Sequence, residues 1–508
     1  MKKYETEKHR SVRRAFVLRG ENLGQRVVHG ASFTLLGVLL RILITVGSVS
    51  ILARLLSPAD FGYLAMATVI TELAALFGNF GFASVLIQKK TITRLQIDTV
   101  FWASALLGLC LTSTVFVLSF ASSWLFREPL AGEIMRVMCL TFALDGIIVV
   151  HGALISRLMR FQVDFWIQIV SILFRTSVAI GFAWNGFGVW SLVAGALAGS
   201  VLKVILSSLA IPYWPRLRFN LRYLQSTWKT NTHYFAGGFL FYVNSNIDLF
   251  IIGRSLGATA LGYYQNARSL TDEVRYRMAV PLQRVLFPAF SSLQGNLGWL
   301  QVSVLRSGRL LAAIVFPIGI GIAAVADELV PVLYGDKWLA MIPALKLLGI
   351  STAIRASASV ATPLFNSQDR VGLALRYSIV GSVIMVIAIV AASPWGVEAV
   401  AGAVALSSLY SLVGYHAGLR LINLGWPALW SMLGPPAVAS AIMWLTIEGA
   451  RNVLAGHISH VSIGLAIYVA LGAVVYALTV VIISRSLLDD LKSVLAKLVR
   501  PSPTQASP

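Results

Sequence analysis

Charge is scarce in this chain, and acid is scarcest. Asp, Glu, Lys and Arg make up 12% of 508 residues, with 21 acids against 41 Lys and Arg. Residues of the hydrophobic class make up 57%, and the mean hydropathy is +0.78. A globule in water cannot hide that much apolar surface, so the composition excludes a soluble protein and implies an integral membrane protein. The formal charge of +20 would suggest a nucleic-acid partner on a soluble chain. On a membrane chain the excess Lys and Arg set topology, and no nucleic-acid partner is expected.

Cysteine is nearly absent. Cys110 and Cys139 fall inside apolar runs, which suits packing rather than a disulfide or thiolate metal site. The histidines show neither HExxH nor another metal spacing, and no Walker phosphate loop is present, so neither a metal nor an ATPase is read. No connector is long enough to house a catalytic domain. The expectation is a carrier without a cofactor, not an enzyme. The basic N-terminus is not followed by a short apolar core ending in small residues, so no cleavable signal peptide is read.

What is present is a repeat. Ile51-Leu-Ala-Arg54-Leu-Leu56 leads through Gly62 and Tyr63 to Ala67, Thr71 and Glu72. Ile251-Ile-Gly-Arg254-Ser-Leu256 leads through Gly262 and Tyr263 to Ala267, Thr271 and Asp272, at a constant offset of 200 residues. Each copy joins two apolar segments through a short turn. An internal duplication of this kind marks a transporter built of two related halves.

Apolar runs of spanning length follow at about 31–53, 61–86, 97–124, 134–155, 163–184 and 187–211. A second set lies at about 234–252, 261–290, 310–326, 341–365, 371–392 and 396–422, with two more at 427–447 and 461–483. The fold expected is an all-α integral membrane protein of about 14 transmembrane helices. They form two pseudo-symmetric six-helix bundles, 31–211 and 234–422, plus two extra helices in 423–484. A basic segment, 1–30, a connector, 212–233, and an amphipathic tail, 485–508, complete the chain. In the tail Leu487, Leu488, Leu491, Leu495 and Leu498 recur at helical spacing. Every second loop is basic, among them those with Lys89, Lys90 and Arg94, with Arg157 and Arg160, and with Arg216, Arg218 and Arg222. That alternation puts both termini and the connector in the cytoplasm.

Ionisable groups deep in a membrane are costly and mark cavities or ion pairs. Arg41 lies mid-span on a polar face with Thr34, Gly37, Thr45 and Ser48, spaced in steps of three and four. Thr68, Glu72 and Asn79 form a similar stripe, Asn244, Ser245 and Asp248 another, and Gln265, Arg268, Asp272 and Arg275 a fourth. Arg175 and Arg355 also fall near mid-span, whereas Lys203 and Lys346 read as structural. Arg41, Arg268, Arg275 and Arg355 are the candidate cavity cations, since guanidinium binds phosphate oxygens through paired hydrogen bonds. Glu72, Asp272 and Asp248 are candidate coupling or ion-pair acids. An excess of deep cations suits an anionic cargo.

Blocks along the chain resemble a known family. They are Arg54-Leu-Leu-Ser-Pro-Ala-Asp-Phe-Gly62, Phe80-Gly-Phe-Ala-Ser-Val-Leu-Ile-Gln-Lys89 and Arg284-Val-Leu-Phe-Pro-Ala-Phe-Ser-Ser-Leu-Gln294. Val332-Leu-Tyr-Gly-Asp-Lys-Trp338 with Ile342-Pro-Ala-Leu-Lys-Leu-Leu348 is a further block. Together they look like the Wzx-type polysaccharide flippases of the multidrug/oligosaccharidyl-lipid/polysaccharide (MOP) exporter superfamily, in the colanic-acid and succinoglycan exporter branch. The resemblance implies a bacterial inner-membrane flippase working by alternating access. The implied cargo is an oligosaccharide repeat unit on undecaprenyl diphosphate, with proton or sodium coupling in some members. The surrounding lipid, and a polysaccharide polymerase and co-polymerase, are the other partners. A multidrug antiporter would want an acidic cavity lining. A lipid II flippase is a nearer alternative. A membrane-embedded glycan polymerase would need a large outer loop.

Overall fold

The computed structural model describes residues 43–78, 91–454 and 460–484, together with Gly37, Leu40, Arg41, Leu86, Ile87, Lys89, Leu487, Asp489 and Asp490. The side chains of Ser123, Arg222, 225–241, Val243, Asn244 and 274–280 are outside that description. The basic N-terminal segment, Thr34, Asn79, most of the 80–89 block, Arg275 and the tail beyond Asp490 therefore lie outside the described residues.

The described chain is a succession of helices. They are α1 (Leu43–Leu55), α2 (Pro58–Gly78), α3 (Arg94–Ser119), α4 (Pro129–Arg157), α5 (Phe161–Trp184), α6 (Val189–Ala210), α7 (Leu221–Ser292), α8 (Leu297–Ala324), α9 (Asp336–Ser367), α10 (Val371–Trp395), α11 (Val397–Arg420), α12 (Trp426–Leu454) and α13 (Val461–Ile483). Eleven of them are long and apolar enough to cross a membrane, and the chain is a multi-pass membrane protein. The other expected spans are the first, of which α1 covers the described part, and the seventh and eighth, both on α7.

Local chemistry sets the helix starts. Ser57 caps α2: its backbone N–H and hydroxyl donate to Asp60 Oδ2 at 2.9 and 2.7 Å, and Pro58 follows where a helix needs no N–H. The Ser-Pro-Ala-Asp turn of the repeat is thus a helix start. Thr93 and Gln96 close a capping box on α3, and Asn296 caps α8 through Trp299 N–H. Inside α7 only Gly257 leaves helical geometry, at φ 81° and ψ −177°, a backbone region essentially reserved for glycine.

The chain divides into two compact units, Met1–Gly262 and Tyr263–Pro508. Lipid gives helices no hydrophobic reason to associate, so contacts rest on close packing at small residues. In the first unit α3 and α4 meet through Ile97, Phe101, Val150 and Leu154. The repeat copies meet there too. A Cβ on Gly62 would lie 1.7 Å from the Ala258 carbonyl oxygen, and one on Gly262 would lie 1.9 Å from that of Pro58. These are equivalent positions in the two copies, so the contact is reciprocal. Arg254 donates to the carbonyls of Trp124 and Leu125 at 2.9 and 2.7 Å, and Tyr242 donates to Val69 O at 2.8 Å.

The start of the expected connector is fastened to the first unit. Buried Asp98 accepts from the Tyr213 hydroxyl and, at 3.2 Å, from Arg216 N–H. Thr99 Oγ1 accepts from Asn220 N–H at 3.1 Å, and Trp102 Nε1 donates to Arg216 O at 2.9 Å. Burial, and the Asp98 carboxylate beside it, hold the Tyr213 phenol well above its ordinary pKa. Buried Arg157 donates to the carbonyls of Leu86, Ile87 and Lys89 at 2.8, 3.2 and 2.6 Å, fixing the chain after α2.

In the second unit Val304, Ala312 and Val315 of α8 pack with Ala353 and Ala356 of α9, Tyr415 of α11 and Met432 of α12. Met443 and Ile447 of α12 pack against Tyr468 of α13. Arg451 ties the end of α12 to the short helix Ala326–Leu333 that follows α8. It meets Glu328 through Nε–Oε1 at 2.8 Å and Nη2–Oε2 at 2.9 Å, Asp327 at 3.2 Å and Ala324 O at 2.7 Å. Beyond α13, Leu487 is buried and Asp490 pairs with Arg309 at 2.9 Å and Arg306 at 3.7 Å.

Candidate functional site

Arg41 is helical and sits just ahead of α1. Its Nε donates to Gly37 O at 3.0 Å, and its Nη1 donates to Gln168 Oε1 on α5. Gln168 Nε2 in turn donates to Asp164 Oδ2 at 2.5 Å, one turn earlier on α5. Gly37, Phe161, Phe165 and Ile169 complete the wall of a recess of about 40 Å³ around this chain of bonds. The arrangement has a chemical consequence. Arg41 is held by a neutral amide, and the carboxylate stands one residue further off. The guanidinium is oriented by Gln168 while most of its charge stays uncommitted, which suits an anionic oxygen. Glu72, one of the candidate coupling or ion-pair acids, is exposed on α2. Asp164 and Gln168 were missed because Asp164 reads as a first-turn acid and Gln168 as an isolated amide. Their spacing of four was the available signal.

The other candidates divide. Arg268 and Asp272 pair on α7 at 2.9 Å, both largely buried, so this guanidinium already has a carboxylate. Asp248 is buried, at 5% exposure, and Arg355 is half-buried on α9. Lys346 pairs with Asp327 at 2.8 Å, and Asp327 also meets Arg451, so Lys346 joins the Arg451 cluster. Among the described residues no group of three or more His, Cys, Asp or Glu is placed to hold a metal ion.

Comparison with known proteins gives a consistent picture. The family described as "Polysaccharide biosynthesis protein" matches residues 51–343. The chain is 25% identical to the lipopolysaccharide biosynthesis protein WzxC of Escherichia coli (strain K12), over 73% of this chain and 75% of that protein. It is 24% identical to the succinoglycan biosynthesis transport protein ExoT of Rhizobium meliloti (strain 1021), over 87% of this chain and 90% of that protein. Among solved structures, the lipid II flippase MurJ in its inward closed conformation aligns with a TM-score of 0.72 at 14% identity, over 91% of this chain and 100% of that one. An inward-facing multidrug resistance MATE transporter of the MOP superfamily aligns at 0.57 and 16% identity, over 75% and 94%. At these identities the structural likeness establishes the fold.

Proposed function

The chain belongs to the polysaccharide biosynthesis protein family, and on that footing we propose that it flips an oligosaccharide linked to undecaprenyl diphosphate across the bacterial inner membrane. It is a transporter rather than an enzyme. The observation that carries the cargo assignment is the Arg41 site, a deep guanidinium oriented by a neutral amide. A diphosphate gains charge-assisted bonds there without first displacing a carboxylate. A cationic drug would gain nothing. The names of WzxC, a lipopolysaccharide biosynthesis protein, and ExoT, a succinoglycan biosynthesis transport protein, support the same reading.

In this reading the chain works by alternating access, with both termini in the cytoplasm. The contact of Gly62 with Ala258 and of Gly262 with Pro58 joins the two outer turns of the repeat. Arg355 and Arg275 belong to the cation set of the path. Arg268 joins them when Asp272 releases it, which makes Asp272 the foremost coupling acid of the three, with Glu72 and Asp248 behind it. A strain lacking the chain tests the proposal: lipid-linked repeat units should accumulate on the cytoplasmic leaflet, and surface polysaccharide should return on complementation. Normal surface polysaccharide in the deletion strain would refute it.

A further inference from the structure

α5 carries two stripes. Trp166, Val170, Leu173 and Trp184 are 59%, 39%, 46% and 78% exposed and recur on one face, the face turned to lipid. Asp164, Gln168, Ser171 and Arg175 recur in steps of four, three and four on the opposite face. Asp164 and Gln168 belong to the Arg41 site. Ser171 and Arg175 have no role assigned above.

Three observations single them out. Ser171 is 7% exposed, and its hydroxyl has no hydrogen-bond partner. Arg175 makes no hydrogen bond or ion pair with any described residue, and Asp145 of α4 has Lys203 of α6 as its countercharge. Arg175 is also exposed, and it lies on the face of α5 opposite the Trp166–Trp184 stripe. An arginine at this depth costs ~2.5–3.5 kcal/mol on insertion scales, so it needs water or an anion.

The stem of Arg175 is clamped. On α6 a Cβ at Gly199 would lie 2.8 Å from Arg175 Cβ, and one at Gly195 would lie 2.7 Å from the Arg175 carbonyl oxygen. This small-residue spacing brings the two helices together at Arg175 and fixes where its guanidinium starts.

We propose that Arg175 and Ser171 form a second phosphate-binding station, about 10 Å along α5 from the Gln168–Arg41 site at 1.5 Å per residue. Guanidinium and hydroxyl, one helical turn apart, offer donors to the same phosphoryl oxygens. The diphosphate of the cargo passes from Arg41 to Arg175 as it moves from the Phe161 end of α5 toward the Trp184 end. Two moderate sites hold a charged group along the path without trapping it at either. The proposal rests on the diphosphate-linked cargo assigned above.

The test uses the purified full-length chain in lipid nanodiscs and three labelled probes: undecaprenyl diphosphate, inorganic pyrophosphate and undecaprenol. Arg175→Gln should weaken undecaprenyl diphosphate binding about tenfold or more and Ser171→Ala about threefold, with undecaprenol unchanged, as loss of hydrogen bonds to a charged group predicts. Arg175→Lys should retain part of the affinity. Without ligand, the melting temperature of Arg175→Gln should equal or exceed that of the wild type, because an unpaired deep charge has been removed. Wild-type affinity in Arg175→Gln, or a lowered melting temperature with unchanged affinity, would overturn the station and leave the cargo assignment standing. If the wild type binds undecaprenyl diphosphate no better than undecaprenol, the cargo assignment falls. Pyrophosphate then decides the station: binding lost in Arg175→Gln upholds it, and no binding by the wild type overturns it.

Discussion

The neutral partner of Arg41 gives the sharpest prediction. Gln168→Glu, made together with Asp164→Asn so that the introduced carboxylate stays ionised, converts the amide contact into an ion pair. Two unit charges 4 Å apart interact by about 4 kcal/mol at an effective dielectric constant near 20. A hydrogen bond to a charged group contributes about 1.5–3 kcal/mol, so the introduced carboxylate outcompetes any single bond from Arg41 to the diphosphate. Export should fall roughly a hundredfold, about 2.7 kcal/mol, while protein abundance and melting temperature hold or rise. Arg41→Ala should abolish export at nearly normal abundance. Arg41→Lys should recover part, because Lys keeps the charge and loses the paired donors. The assay is surface polysaccharide by immunoblot, normalised to membrane protein level, in a deletion strain carrying each variant. Normal export by the Gln168→Glu, Asp164→Asn chain at normal abundance would refute the substrate role. Arg41 would then be a structural cation that gains from a better partner.

Gly62→Ala or Gly262→Ala places a methyl group where a backbone carbonyl already lies, so the two turns must separate; accessibility of a cysteine at Asp60 to an impermeant reagent should rise and export should fall, and unchanged labelling would refute the contact. Tyr213→Phe leaves the buried Asp98 carboxylate short of a donor and should cost about 1–3 kcal/mol of stability, read by thermal unfolding. Because the folded-state pKa of Tyr213 is raised, its contribution is full below about pH 10 and is lost as pH rises through the folded value, so the gap to Tyr213→Phe should stay constant at neutral pH and narrow only in strong alkali. Arg451→Ala strands the carboxylates of Asp327, Glu328 and Glu448 with only Lys346 and should cost about 3–5 kcal/mol; adding Glu328→Gln should restore part of it, and equal melting temperatures of wild type and Arg451→Ala would show that the cluster does not fasten α12.

The spans and the site were not equally legible in the chain. A spanning helix needs about 20 apolar residues in one run, a local property, so the runs at 97–124, 163–184 and 461–483 mapped directly onto α3, α5 and α13. The repeat was equally plain, because Arg, Gly and an acid recur at a fixed offset where such residues are rare. What these residues do was hidden. The Ser-Pro-Ala-Asp turn is a capping box, and Gly62 and Gly262 are small because each faces a backbone carbonyl of the other copy.

Charge partners were the least legible. Depth in a helix is read from sequence position, and it placed Arg41, Arg268 and Arg355 mid-span. Pairing depends on which faces of distant helices meet, and no sequence separation encodes that. Arg41 could be matched to Glu72 or to Asp164 with equal logic; its bond to Gln168, 127 residues away, follows from how the segment carrying it lies on α5. Arg268 finds Asp272 one turn along its own helix, at the spacing that brings two side chains onto one helix face. The sequence by itself determined that the chain crosses the membrane many times, carries a repeat at an offset of 200 residues and holds cations inside its apolar runs. Only the tertiary structure decided which of those cations is neutralised and which stands open. A cation is neutralised by a carboxylate within a few ångströms, and helix packing sets that distance.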